Sequence, residues 1–290
     1  MKIAFLRFWS VFSALLFVLV VGGTVVYLAG MALPQMSQGL VFGTTPPLKA
    51  LLQNAPVWDA LWPAIAGTLH LLVVTMAITL PLGLASGVYL SEYASASFCR
   101  KAIALMEVFV AIPSIVMGLF GFLLILALRQ TLMPQAGTSL LLASFCLSLL
   151  VLPVFVLTLY AALRSLPHTL RVTATCIGLS RSAAVWRIFV PQASQGLLSA
   201  FFLAAGRCAE DTAVILMTGA IANASRAPAL TGKFEALPFY IYYTTANYQN
   251  NEEFLRIFAA AFFLLLLAGL LLAVGHFFHD TFFKEWNRTS

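Results

Sequence analysis

Charge is what this 290-residue chain has least of: Asp, Glu, Lys and Arg make up 9% of it, 10 acidic residues against 16 basic ones. Soluble domains are about one quarter charged, so a water-facing surface over most of the length is excluded. Cysteine is scarce as well. The four present, Cys99, Cys146, Cys176 and Cys208, are dispersed without a C-x-x-C pair, which reads as free thiols and not as a disulfide framework. The phosphate-cradling pattern G-x-x-x-x-G-K-[ST] is missing. Gly232-Lys233 is the only Gly-Lys and lacks both the upstream glycine and the following Ser or Thr, so a nucleotide-hydrolysing loop of that type is excluded. No Ser/His/Asp arrangement is evident in the linear order. His276, His279 and Asp280 share the spacing of a metal site, but they follow a long apolar run, where such residues serve as helix-end and interfacial groups. No metal, no cofactor and no catalytic residue is expected.

What is present instead is apolar: 61% hydrophobic residues and a mean hydropathy of +0.97 describe a chain whose solvent is membrane lipid. Its net charge of +6 is spread over short loops, so nucleic acid is not an expected partner. Six uncharged or nearly uncharged runs exceed or approach the roughly 20 residues needed to cross a bilayer. They are read at Phe8 to Leu33, Pro63 to Leu90, Ala102 to Leu128, Ser139 to Leu163, Gln192 to Ile221 and Phe254 to Phe278. The first is too long for the apolar core of a signal peptide, and no clean cleavage site follows it. The fold class is all-α with six transmembrane helices. Residues 1–62 form an N-terminal span and external loop, and residues 63–290 the main transmembrane domain. Pro81, Pro113 and Pro153 are expected to kink their helices. Ser114, Gly118 and Gly121 form a small-residue stripe that lets another helix backbone approach. His70 reads as a hydrogen-bonded core residue, and Glu107 as a group that snorkels or pairs with a neighbouring cation. The segment 222–253 is read as a loop whose Tyr240, Tyr242 and Tyr243 suit a headgroup belt.

With both termini inside, the internal segments hold Lys2, Arg7, Arg100, Lys101, Arg164, Arg171, Arg181, Arg187, Lys284 and Arg288, against Lys49, Arg129, Arg226, Lys233 and Arg256 outside. That asymmetry places both termini and the 164–191 loop in the cytoplasm. The loop is patterned. Leu170, Ala174 and Ile177, then Val185, Ile188 and Phe189, give two short amphipathic runs separated by Gly178-Leu-Ser180, which predicts helix, turn, helix. An exposed apolar face there means a docking surface for a soluble partner, and packing back on its own bundle is the alternative.

The fifth run is unusual because it carries Arg207, Glu210 and Asp211. Each costs roughly 2.5 to 3.5 kcal/mol at a helix centre unless paired or hydrated. The helix therefore reads as lining a polar path. In a continuous helix Glu210 and Asp211 stand at i+3 and i+4 from Arg207, so either can pair with it.

Two resemblances bear on these segments. Gly178, nine residues, then Ile188-Phe-Val-Pro191 resembles the cytoplasmic EAA loop of ABC importer permeases, with Val172-Thr173-Ala174 where that family has Glu-Ala-Ala. Within that superfamily the chain is similar to the phosphate permease subunits PstA and PstC from Pro63 onward. The resemblance is carried by Pro81-Leu-Gly83 with Tyr89-Leu-Ser-Glu-Tyr93, by Ile112-Pro-Ser-Ile-Val-Met-Gly-Leu-Phe-Gly121, and by Gly206-Arg207 to Thr212. Leu237-Pro238 with Ile241-Tyr242 looks more like PstA. In the third stretch Arg207 and Thr212 match, Asp211 stands for a Glu and Glu210 for a Gly.

The resemblance implies a type I ABC importer permease of the MetI-like fold in the bacterial inner membrane, working by alternating access. It further implies a second permease subunit, a dimer of ATPase subunits that hydrolyses the ATP, and an external solute-binding protein. Thr173, Ala174, Gly178, Ile188 and Pro191 would couple to the ATPase. Arg207, Glu210, Asp211 and Thr212 would line the substrate path, with Arg207 offering a planar fork of donors matched to phosphate oxygens. A structural ion pair at Arg207, a permease for another solute, and a membrane protein without transport are the alternatives.

Overall fold

A computed structural model describes residues 2–289 other than 59, 132 and 133, with side chains for 5 and 7–274 within that range. His276, His279 and Asp280 therefore lie outside the residues whose side chains are described. In chain order the helices are α1 (Lys2–Ala32), α2 (Gln38–Phe42), α3 (Pro47–Leu52), α4 (Trp62–Val88), α5 (Ala96–Val110), α6 (Ser114–Thr131) and α7 (Leu140–Arg164). They are followed by α8 (His168–Cys176), α9 (Arg181–Ala184), α10 (Val190–Gln192), α11 (Ser194–Glu210), α12 (Ala213–Thr218), α13 (Leu237–Asn247) and α14 (Asn251–Thr289). Two π turns, Tyr89–Tyr93 and Val185–Phe189, extend α4 and α9.

Among the described residues five helices are long and apolar enough to cross a bilayer, namely α1, α4, α6, α7 and α14. A sixth span is reached when Arg181–Gln192 and Ser194–Glu210, bent by 67°, are taken together. Helices are what such runs must form, because lipid offers no partner for a free backbone N–H or C=O.

The bundle is organised around α7. In its most apolar window 61% of the residues are buried, against none in the corresponding window of α1. Glycines let its neighbours close in. A Cβ at Gly83 or Gly87 of α4 would come within 2.4 Å of Phe155 or 2.9 Å of Leu159, and one at Gly196 of α11 within 1.9 Å of Ala162. With no hydrophobic drive between helices in lipid, this closeness is what holds them. The small-residue stripe of α6 works in the same way. Gly118 leaves room for the backbone of Ala213 and Val214, and Gly121 for Thr218 and Cys146.

Three expected elements are corrected. The third span, read as one helix from Ala102 to Leu128, is two: α5 ends at Val110 and α6 starts at Ser114. Pro113 disfavours helical geometry at Ile112, which breaks the run outright. The fifth span, read as Gln192 to Ile221, starts at Ser194, stops at Glu210 and resumes only for Ala213–Thr218. The 222–253 segment is not all loop, since α13 occupies Leu237–Asn247 behind Pro238 in its first turn, a position proline favours. Pro81 and Pro153, by contrast, sit inside unbroken helices. Glu107 is exposed on α5 and forms no ion pair among the described residues. His70 Nδ1 lies 2.7 Å from the Ala66 carbonyl, so the expected hydrogen bond is present, but the residue is exposed on α4 and does not belong to the core.

One end of the bundle is capped by the segment between α12 and α13. Ser139, Leu140 and Leu141 donate their amides to the carbonyls of Thr218, Gly232 and Leu230, and Ala220 pairs with Phe234. Val57 and Asn54 tie the α3 to α4 linker to Ser225 and Ala227. The Leu237 amide donates to the Thr68 hydroxyl. Of the aromatics there, Phe239 is buried and Tyr242 and Tyr243 are exposed.

Candidate functional site

The first constellation sits where α11 gives way to α12. Asp211 adopts extended backbone (φ −72°, ψ 124°), so the helix ends in front of it. Its Oδ1 accepts the Val214 amide at 2.8 Å, as a capping side chain does at a helix start. The Ser114 hydroxyl of α6 also faces this carboxylate. Asp211 is 9% exposed, and its lone pairs are directed to backbone and hydroxyl donors. Gly118 one turn along α6 is what lets the break come so close, because a side chain there would meet the Ala213 carbonyl at 2.8 Å.

Arg207 lies half-buried one turn before the break, Glu210 is exposed, and Thr212 is half-buried. The pairing of Arg207 with Glu210 or Asp211 is corrected. Among the described residues the one ion pair is between Arg171 and Glu92. The i+4 geometry disappears once the helix unwinds at Asp211. Arg207 acts on Asp211 through space while its guanidinium donors are not taken by a carboxylate. A half-buried guanidinium with no carboxylate partner among the described residues, one turn from a helix break, is suited to bind an oxyanion.

The second constellation is the predicted helix, turn, helix at 164–191. α8 runs to Cys176, Gly178 turns the chain at φ +74°, and the Ser180 hydroxyl caps α9 by accepting the Ala183 amide at 3.3 Å. A left-handed φ is cheap for glycine alone. The apolar faces divide. Ala174, Ala184, Val185 and Phe189 are buried in the core of the bundle, whereas Val172, Ile177 and Trp186 are exposed. The expected docking face is therefore narrower than the periodicity implied, because most of the amphipathic residues pack on their own chain. Thr173 is exposed, its hydroxyl donating to the Thr169 carbonyl at 2.9 Å. Gly178 and Pro191 are exposed too, Ala174 is buried, and Ile188 is half-buried.

Sequence reasoning missed what fastens this element. Glu92, 5% exposed in the π turn after α4, pairs through Oε2 with Arg171 of α8. Its main-chain carbonyl accepts from Arg181 of α9. The signal was available: Glu92 is a lone acid in a segment whose other charges are basic. It also missed Ser114 as a partner of Asp211, and Glu235. That carboxylate, 4% exposed, accepts the amides of Asn223 (3.2 Å) and Ala224 (3.1 Å), and burial pushes it up to about 7. It borders a polar cavity of about 370 Å³ lined also by Trp58, Tyr240, Asn247, Glu253 and Arg256.

Comparison with known proteins gives a consistent picture. Residues 79–286 match the family described as the binding-protein-dependent transport system inner membrane component. A phosphate transport system permease protein PstA homolog of Mycoplasma pneumoniae is 31% identical over 169 residues, 58% of this chain and 26% of that one. A probable ABC transporter permease protein YqgI of Bacillus subtilis is 33% identical over 156 residues, 52% of this chain and 50% of that one. The phosphate transport system permease protein PstA of Mycobacterium leprae is 33% identical over 197 residues, 68% of this chain and 63% of that one. The chain thus spans between about a quarter and just under two thirds of the length of these relatives. In fold it is similar to a chain of the inward-facing MetNI methionine ABC transporter (TM-score 0.55, 20% identity, 82% of this chain and 99% of that one). It is also similar to a chain of a bacterial alginate ABC transporter in complex with a periplasmic protein (TM-score 0.63, 13% identity, 94% and 93%).

Proposed function

Because this chain belongs to the binding-protein-dependent transport system inner membrane component family, we propose that it is the permease subunit of an ATP-driven importer that moves inorganic phosphate across the bacterial cytoplasmic membrane. The observation that carries the solute is Arg207. It stands half-buried in a span, unpaired by any carboxylate among the described residues, one turn from the break at Asp211. A fixed cation with planar donors matches the oxygens of phosphate. Asp211, held by the Val214 amide and the Ser114 hydroxyl, offers a nearby acceptor for the hydroxyl that phosphate keeps near neutral pH and sulfate does not. Thr212 completes the polar edge, and Glu210 is exposed. The relatives named PstA support this solute.

A second permease subunit, a dimer of ATPase subunits and an external solute-binding protein complete the assembly. The ATPase docks on the exposed crest of the helix, turn, helix around Thr173, Gly178 and Ile177. Its motion reaches α11 through Ile188 and Pro191, and the path opens first to the outside and then to the cytosol. Both termini and the 164–191 loop face the cytosol, by the excess of basic residues there.

Phosphate uptake by proteoliposomes holding the full complex tests the reading, with sulfate as competitor. Arg207→Gln is expected to abolish uptake without lowering the yield of complex. Uptake unchanged by that substitution overturns the assignment of the path. Orientation is tested by cysteine labelling in intact cells: reagent reaching Ser182→Cys but not Asn247→Cys reverses the topology.

A further inference from the structure

Resting on the reading that the helix, turn, helix receives the ATPase, we infer that Glu92 is a positioning residue that fastens both halves of that element to the end of α4. Displacement of α8 and α9 is thereby delivered to the central helices of the bundle, in addition to the route through Pro191 into α11. The contacts converge on one residue. The Glu92 carboxylate takes Arg171 from α8, its carbonyl takes Arg181 from α9, and its Oε1 takes the Ser91 hydroxyl at 2.8 Å. The two arginines come from opposite sides of the Gly178 turn, so a single acid spans the flexible point of the element.

The arginines are themselves fixed at their other edges. Arg171 donates a second guanidinium N–H to the Leu163 carbonyl at the end of α7 (3.0 Å) and lies 5.0 Å over the Phe189 ring. Arg181 lies 5.2 Å over the Tyr93 ring. Phe189 belongs to the second π turn and Tyr93 to the first. Glu92 lies in the last turn before the helix ends at Tyr93, where carbonyls have no intrahelical donor. Its carbonyl is the one Arg181 reaches. α4 and α7 pack along much of their length through Gly83 and Gly87, so a push at Glu92 moves a rigid pair. An ordinary structural staple would need one arginine. Two, gripping the same residue from both sides of a hinge, make α8 and α9 move as one body with α4.

The test uses the full complex in proteoliposomes, with inorganic phosphate as the probe and Cys176→Ser to remove the exposed thiol. Spin labels at Ala85→Cys on α4 and Thr175→Cys on α8 report the junction. The starting complex is expected to give one narrow distance distribution. Glu92→Gln should broaden it and lower phosphate moved per ATP about tenfold, a usual size for coupling between sites, while ATP hydrolysis persists. Glu92→Asp should recover part of the coupling. A distribution as narrow as the starting one, or unchanged phosphate per ATP, overturns the proposal. If Glu92→Gln does not assemble, the pair Glu92→Gln with Arg171→Gln leaves no charge stranded and is judged by the same two readouts. A starting complex that hydrolyses ATP without moving phosphate defeats the solute reading, while the distances still decide the fastening.

Discussion

Arg171 and Arg207 are the same side chain in two regions of one molecule, and they are used in opposite ways. Arg171, 24% exposed, spends its guanidinium on Glu92, the Leu163 carbonyl and the face of Phe189. Arg207, also half-buried, has no carboxylate within ion-pair distance among the described residues and a through-space influence on Asp211. A saturated arginine holds structure. An arginine left unsaturated inside a membrane span costs stability, which is the ground for the proposed role of Arg207 in the solute path. Part of the difference comes from backbone: the break after Glu210 takes Asp211 out of the i+4 position and turns it to the Val214 amide, while Glu210, still in helix at i+3, is exposed and makes no ion pair among the described residues.

The largest expected effects separate these two arginines. Arg207→Gln should abolish uptake and leave complex yield near normal, and Arg207→Gln with Glu210→Gln should recover none of it, because no pair joins them. Rescue by the neutral pair would restore the structural reading of Arg207. Arg171→Gln should act through stability, since it leaves the Glu92 carboxylate buried with only the Ser91 hydroxyl on its side chain. Stranding one partner of a buried pair costs about 3 to 5 kcal/mol. Yield from mild detergent should fall sharply, and a normal yield would show that the two arginines are not so different.

Smaller is the effect of Gly178→Val. A Cβ there meets nothing within 4 Å, but φ is +74°, so the cost is backbone strain of about 1 to 2 kcal/mol and no clash. The variant should insert and assemble, with ATPase association reduced several-fold. Association equal to the parent protein would mean that the turn does not set the crest seen by the partner.

Much of the fold was legible because lipid imposes it: apolar runs of sufficient length have to be helices, and the first, second, fourth and sixth expected spans each match one helix that is long and apolar enough, whereas the third and fifth are broken. The exceptions were breaks. Pro113 ends a helix while Pro81 and Pro153 do not, and that difference depends on what packs at each proline, which a linear pattern does not carry. The break at Asp211 was invisible for the same reason: it depends on Gly118 letting α6 approach and on Ser114 reaching the carboxylate. Arg207 and the helix, turn, helix were read from residue type and periodicity. Glu92 was passed over because its partners lie 79 and 89 residues away, a distance no local rule spans.

The same contrast recurs between two buried acids, and the last prediction rests on it. Glu92 has an arginine, whereas Glu235, 4% exposed, has only the amides of Asn223 and Ala224. Burial, partly offset by those two amides, raises Glu235 from 4.5 to about 7. Between those values the folded protein binds a proton that the unfolded chain does not, so stability falls as pH rises from 4.5 through about 7 and is lowest above it. The segment concerned closes over α7 and rests on Gly67, where a Cβ would lie 1.8 Å from the Glu235 carbonyl oxygen. Lowering the pH from 8 to 5 should therefore slow hydrogen exchange of this segment, after correction for the intrinsic rate. Glu235→Gln should make exchange independent of pH across the range, since the carboxamide carries no charge, although it keeps an acceptor for only one of the two amides. An unaltered pH dependence in that variant would show that Glu235 is not its source. Glu235 would then stand with Glu92 as an acid whose charge the fold accommodates fully.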